Sequence, residues 1–163
     1  MSAFNKAVEA IKSNNFNQFE ELLDNNPTLL LESDQSDYTL LHYACAKLAN
    51  DMIFILLRDG ANLNAVALND KTPFELFIFS NFNNKDGKKP FPPEQIEALE
   101  KILNYNPNIR FNLIQDFRKF EQHFPMTNKA YDQVINLLIG KAYEQHEGRP
   151  PKKRPNPRPK PKF

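Results

Sequence analysis

The strongest constraint on this chain is a repeat within its own sequence. Thr39-Leu40-Leu41-His42 returns 33 residues later as Thr72-Pro73-Phe74-Glu75. The same interval carries Ile55-Leu56 back to Leu22-Leu23. Forward, Leu56-Leu57 reaches Ile102-Leu103 with 13 residues to spare, a surplus that matches the stretch 81–93. A period of this length is one supersecondary unit, too small to bury its own apolar stripe, so neighbours must stack. Between the anchors the apolar spacing is helical. Phe4, Ala7, Val8 and Ile11 form one stripe, and Phe16, Phe19, Leu22 and Leu23 a second, with Asn14-Asn15 between them. Further helix pairs are predicted at about 40–48 with 51–59, and at about 73–81 with 93–104. Thr39 and Thr72 stand where a hydroxyl caps a helix, and Pro73 suits the first helical position. Gly60 can supply the left-handed residue that ends a helix.

Composition agrees with one globular domain and an appended tail. The chain has 163 residues, 40% hydrophobic and 25% charged, enough to bury a real core. Six of its 13 prolines fall in the last 14 residues. Residues 1–146 carry 14 Lys/Arg against 19 Asp/Glu, whereas 147–163 carry seven basic residues and the single acid Glu147. A mildly acidic body with a basic arm suggests an anionic partner, or the body itself, as the arm's target. The single Cys45 excludes a disulfide framework and a Cys-rich zinc site, and suggests a reducing compartment. Lys6, Glu9 and Lys12 interrupt the first apolar stretch, so no secretion signal is expected there. The longest apolar run, Met52 to Leu57, is far shorter than the ~20 residues of a membrane span. These features favour a cytoplasmic protein.

The run Thr39-Leu40-Leu41-His42-Tyr43-Ala44, the pair Leu56-Leu57, the segment Gly60-Ala61-Asn62-Leu63-Asn64-Ala65 and Thr72-Pro73 resemble the ankyrin repeat. The resemblance is strongest over 34–75. It implies an all-α fold, an ankyrin-repeat solenoid of stacked helix-turn-helix units with a disordered C-terminal tail. The units are expected at about 3–33, 34–66 and 67–108, the last with an insertion at 81–93, followed by a cap over 109–146; together they make an ankyrin-repeat domain of residues 1–146. The cap is marked by Phe111, Leu113, Ile114, Phe117 and Phe120, then Tyr131, Val134, Ile135 and Leu138. Asp37 and Asp70 stand where the family usually has a turn glycine, and Leu40 where it has proline. Thr39, His42, Gly60, Thr72 and Pro73 are expected to be structural, and the resemblance implies that His42 bonds across neighbouring repeats.

Catalytic chemistry finds little support in the residues. His42, His123 and His146 lie 81 and 23 residues apart, without metal-ligand spacing. Cys45 has no base beside it in sequence and reads as a small buried hydrophobe. The four glycines are not clustered into a phosphate-cradling loop. Asn84, Asp86 and Gly87 fit part of a calcium loop, but its first and last positions fall on Phe82 and Pro93, which cannot chelate through side chains. No metal, cofactor or enzymatic activity is expected. The insertion reads as an excursion with Phe82 and Phe91 exposed, either a plain loop or a finger that meets a partner.

The function expected by resemblance is protein binding through the concave ankyrin face. Its contacts would be Gln35, Ser36 and Tyr38 on one finger and Leu68, Asn69 and Lys71 on the next, continued by Ala46, Lys47, Phe79 and Ser80. Tyr38 and Phe79 are the expected anchors, since aromatic residues dominate hot spots; Phe79 also reads as core. A monomer is expected. The tail, residues 147–163, carries Arg149, Lys152, Lys153, Arg154, Arg158, Lys160 and Lys162 among alternating prolines. It contains no Pro-x-x-Pro, which argues against an SH3 ligand. It suits nucleic acid, an anionic membrane surface or nuclear import through Lys152-Lys153-Arg154-Pro155, as well as simple solubilisation. Twenty asparagines resemble the usage of AT-rich genomes. Small ankyrin proteins of that kind are implied in intracellular bacteria, some as effectors secreted into a host cell.

Overall fold

Helix-capping chemistry sets the element boundaries. The computed structural model describes residues 1–82, 91–123 and 129–147. Within them lie α1 (Ala3–Lys12), α2 (Phe16–Asn25), α3 (Leu40–Lys47), α4 (Asn50–Arg58), α5 (Pro73–Phe82), α6 (Pro93–Leu103), α7 (Phe111–His123) and α8 (Lys129–Glu147), with a 3-10 turn at Pro27–Leu31. The protein is all-α among the described residues; an isolated bridge between Ser33 and Thr39 is its only β pairing there.

Two of the tight turns inside the pairs share one device. α1 ends with Asn14 at φ 54° and α3 with Leu48 at φ 55°. In each, two amides past the helix fold back on its last carbonyls: Asn14 to Ile11 and Asn15 to Ala10, then Leu48 to Cys45 and Ala49 to Ala44. Gly60, at φ 95°, closes α4 in the same way, its amide donating to Leu57 and that of Ala61 to Leu56. This is the Schellman arrangement, which needs one left-handed residue.

The helix pairs lie side by side. α3 packs on α1 on one flank and on α5 on the other, α2 meets α4, and both α6 and α7 pack on α8. One continuous core runs through the array, including Ile11, Phe19, Leu41, Leu56, Phe77 and Ile102. The connectors 26–39 and 59–72 are equal in length, whereas 104–110 is half as long.

The reading of Phe82 and Phe91 as exposed is corrected. Phe91 is buried and Phe82 half-buried. Their rings meet edge-on at 5.3 Å, and Phe82 meets Phe117 of α7 at 4.8 Å. Phe117 in turn stacks on Tyr131 of α8 at 4.9 Å. Both ends of the insertion are therefore anchored in an aromatic cluster, because burying two phenylalanines outweighs the polarity of the segment between them. Residues 83–90 lie outside the described residues.

Candidate functional site

Two fingers project from the equal connectors, and their backbones repeat each other. In the first, the Asp34 amide donates to Tyr38 O (3.0 Å) and the Asp37 amide to Asp34 O (3.0 Å). One period on, the Ala67 amide donates to Lys71 O (3.0 Å) and the Asp70 amide to Ala67 O (2.9 Å). Asp37 and Asp70 both sit at φ 59°. Aspartate tolerates this left-handed conformation better than most residues. The side-chain brace moves by two places: Asp34 Oδ1 accepts from the amides of Ser36 (2.8 Å) and Tyr38 (3.0 Å), whereas Asn69 Oδ1 accepts from that of Lys71 (3.2 Å).

Two hydrogen bonds hold the fingers in register. The Leu68 amide donates to Ser36 O at 3.0 Å, and Asn69 Nδ2 donates to the Tyr38 hydroxyl at 2.5 Å. The Tyr38 ring also leans on His42 and Tyr43, centroids at 5.0 and 5.6 Å. Tyr38 is thus half-buried and structural on one side. Gln35, Ser36, Leu68 and Asn69 are exposed, as are Ala46 and Lys47 at the end of α3. Leu68 stands 72% exposed and Val66 54%, an aliphatic tip that sequence reasoning assigned only in part. Lys71 lies over the half-buried Phe79 ring, 4.7 Å from its centroid, and Ser80 beside it is half-buried.

The residues at the finger bases form two capping boxes. His42 Nδ1 accepts from the Thr39 amide (3.1 Å) and lies 2.9 Å from the Thr39 hydroxyl. With Nδ1 accepting, Nε2 carries the proton and donates to Lys71 O at 3.2 Å, tying one unit to the next finger. Burial holds His42 below its ordinary pKa, against the pull of the Lys71 and Ala65 carbonyls and the Asp34 charge. One period on, the Glu75 amide donates to Thr72 Oγ1 (3.2 Å) and the Thr72 amide to Glu75 Oε2 (3.3 Å). Pro73 is the first residue of α5.

Glu75 is almost wholly buried, and its charge is met by Arg110, which sequence reasoning missed. Arg110 Nε and Nη2 reach Glu75 Oε1 and Oε2 at 2.7 and 2.6 Å. Nη1 reaches Asp70 Oδ1 at 2.9 Å, and Nη2 also donates to the Asp70 carbonyl. The Glu75 bonds hold the guanidinium well above its ordinary pKa, against a smaller opposing effect of burial. In the other finger, partial burial pushes the Asp34 carboxyl up. The Tyr43 hydroxyl, at 2.6 Å, and the Tyr38 and Ser36 amides outweigh that and hold it below its usual range. The Tyr43 hydroxyl is pushed up to about 12 by the same bond.

Chemistry elsewhere is sparse. Burial pushes the Cys45 thiol far up, away from the reactive thiolate. Among the described residues no group of three or more His, Cys, Asp or Glu is placed to hold a metal, and no helix is long and apolar enough to cross a membrane. An open groove of about 560 Å³ between α6 and α8 is lined by polar residues such as Glu100, Asn104, Gln133 and Lys141. The tail cations Arg149, Lys152, Lys153, Arg154, Arg158, Lys160 and Lys162, like the side chains of His123 and His146, lie outside the described residues. No protein-family model matches the chain, and no curated protein matches it by sequence.

Proposed function

We infer that the chain is a non-catalytic, protein-binding module of the ankyrin type, a short solenoid that meets its partner with the two-finger face. One observation carries this reading. Two fingers of the same backbone design are hydrogen-bonded to each other through Leu68 and Ser36, yet their tips leave Gln35, Ser36, Leu68 and Asn69 open to solvent. A rigid row of backbone turns with an exposed aliphatic tip binds with little ordering cost, and an apolar centre with a polar rim is the anatomy of a protein interface. Catalysis has no comparable support. The carboxylates at the finger base, Asp70 and Glu75, are engaged by Arg110, and the Cys45 thiol is buried.

Leu68 and Lys47 are the cleanest probes, because both are exposed and neither belongs to a cap. Leu68→Asp with Lys47→Glu in the full chain is expected to abolish capture of a partner from lysate while leaving the melting temperature within a few degrees. Capture that survives both changes overturns the face assignment.

The charge split favours a second reading, in which the basic tail binds nucleic acid or an anionic surface and the repeats act as a carrier. If all seven cations neutralise phosphates of a duplex, log K should fall with log salt at a slope of roughly −6. Affinity that ignores salt, and that persists in a chain ending at His146, rejects the tail in favour of the fingers. Nuclear targeting and secretion into a host cell are settings that either reading accommodates.

A further inference from the structure

Finger 2 (residues 67–71) is held from outside at two consecutive carbonyls. Lys71 O receives His42 Nε2 from the preceding unit. Asp70 O receives Arg110 Nη2 from the following one. Finger 1 (residues 34–38) has a different tether: its brace is the hydroxyl of Tyr43, the fourth residue of the helix that follows, on Asp34. The position one period before Arg110's partner Glu75 is His42, and His42 serves as a cap and a cross-strut, with no arginine attached. The ionic clamp is thus particular to finger 2.

Arg110 is the residue just before α7, at the end of the shortened connector 104–110. That connector is fixed to the C-terminal helix pair on its other side. Gln145 of α8 donates to Pro107 O and accepts from the Ile109 amide (3.1 Å), and the Asn108 amide donates to Asn64 Oδ1 (2.6 Å). A path of direct bonds therefore runs from α8 through 107–110 to the turn of finger 2. No third finger of the length of the first two fits in 104–110, and Arg110 at its end grips the turn of finger 2 instead.

We propose that Arg110 is a positioning residue that couples the α7–α8 pair to the partner-facing finger 2, so that displacing the pair releases the finger, and occupying the finger braces the pair. The coupling follows from the geometry: Asp70, gripped by Arg110 at both its carboxylate and its carbonyl, lies between Asn69 and Lys71, two residues of the binding face. The Glu75 carboxylate is buried against the cap of α5, so the guanidinium has a fixed anchor and the turn is the softer end. Any ligand of either end shifts the other reciprocally. The functional consequence rests on the reading of the fingers as a binding face, but the coupling itself is testable without a partner.

The test is amide hydrogen exchange on the full chain, comparing the wild type with Arg110→Ala, Arg110→Lys and Asp70→Asn. The reporters are the amides of Ala67, Leu68 and Asp70 in finger 2, with those of Asp34 and Asp37 in finger 1 as the internal reference. Arg110→Ala is expected to speed exchange in finger 2 by about tenfold or more, the scale of a lost charge-assisted hydrogen bond, with finger 1 unchanged. Arg110→Lys keeps the charge but loses the fork, and should fall between Arg110→Ala and the wild type. Asp70→Asn suits the left-handed turn as aspartate does and removes the carboxylate charge; it should loosen finger 2 while finger 1 is unchanged. If Arg110→Ala fails to fold, the other two variants carry the test. Wild-type exchange in finger 2, or equal loosening of both fingers, overturns the proposal. Loss of partner capture by Leu68→Asp together with wild-type finger 2 exchange in Arg110→Ala would keep the binding face and reject the coupling.

Discussion

At position 42 and again at position 75 the third residue of an inner helix closes a capping box, once with imidazole and once with carboxylate. The choice changes how stability responds to pH. The folded-state pKa of His42 is depressed relative to an unfolded value of about 6.5. The unfolded chain then binds more protons between those values, so the contribution of the buried neutral ring is fully present above about pH 6.5 and is lost as pH falls through the folded pKa. Urea unfolding between pH 5 and pH 7.5 should show wild-type stability falling on the acid side, with a flatter curve for His42→Gln. Glutamine suits the same capping position and cannot take up the proton. Equal slopes in the two proteins would assign the acid sensitivity to other groups. Tyr38 makes a second residue-scale case. Tyr38→Phe keeps the ring against His42 and removes only the bond from Asn69, so denaturant titration should show a loss of about 1 kcal/mol.

Among elements, the two described glycines make opposite predictions from the same substitution. Gly60 closes α4 at φ 95°, and an added methyl would touch nothing within 4 Å. The cost of Gly60→Ala is therefore conformational alone, about 1 kcal/mol of destabilisation. Gly140 lies inside α8 with equally open space around a methyl, so Gly140→Ala should stabilise by about 0.5–1 kcal/mol. Thermal melts of the two variants check both signs. These elements also mark how far local sequence goes. Thr39, Thr72 and Pro73 announce helix starts because caps are local chemistry, and the predicted ranges agree with α3, α4, α5 and α6 to within a residue or two. Asp37 and Asp70 are recognisable as turn residues in a glycine's place, and both adopt the positive φ that glycine would take. The apolar spacing predicts Leu48 as the last residue of a helix. It is instead the left-handed stop at φ 55°, because the turn into α4 falls on that residue and no glycine occupies it.

Across the whole molecule, the features hidden from sequence are those made by distant partners. Arg110 reaches residues 35 and 40 positions earlier, and no local pattern around it differs from an ordinary surface arginine. The one available hint was Glu75, a carboxylate on the buried side of a repeat whose predecessor carries His42. Phe82 and Phe91 misled for the same reason, since their cover comes from Phe117 on α7, itself stacked on Tyr131 of α8. That aromatic cluster decides how the array divides. Phe19 is fully buried on α2, and Phe117 joins α5, the segment at 91, α7 and α8. Truncating either ring costs about 3–5 kcal/mol, but α1 to α5 pack chiefly on one another and α6 and α7 on α8, so the loss should stay on its own side. Phe117→Ala should raise amide exchange across α7, α8 and α6 while α1 and α2 keep their protection. Phe19→Ala should do the reverse. Finger 2 lies between the two regions and should loosen with Phe117→Ala, because the clamp at Arg110 ties its turn to the C-terminal pair. Uniform loss of protection in both variants would mean that the chain unfolds as a single cooperative block.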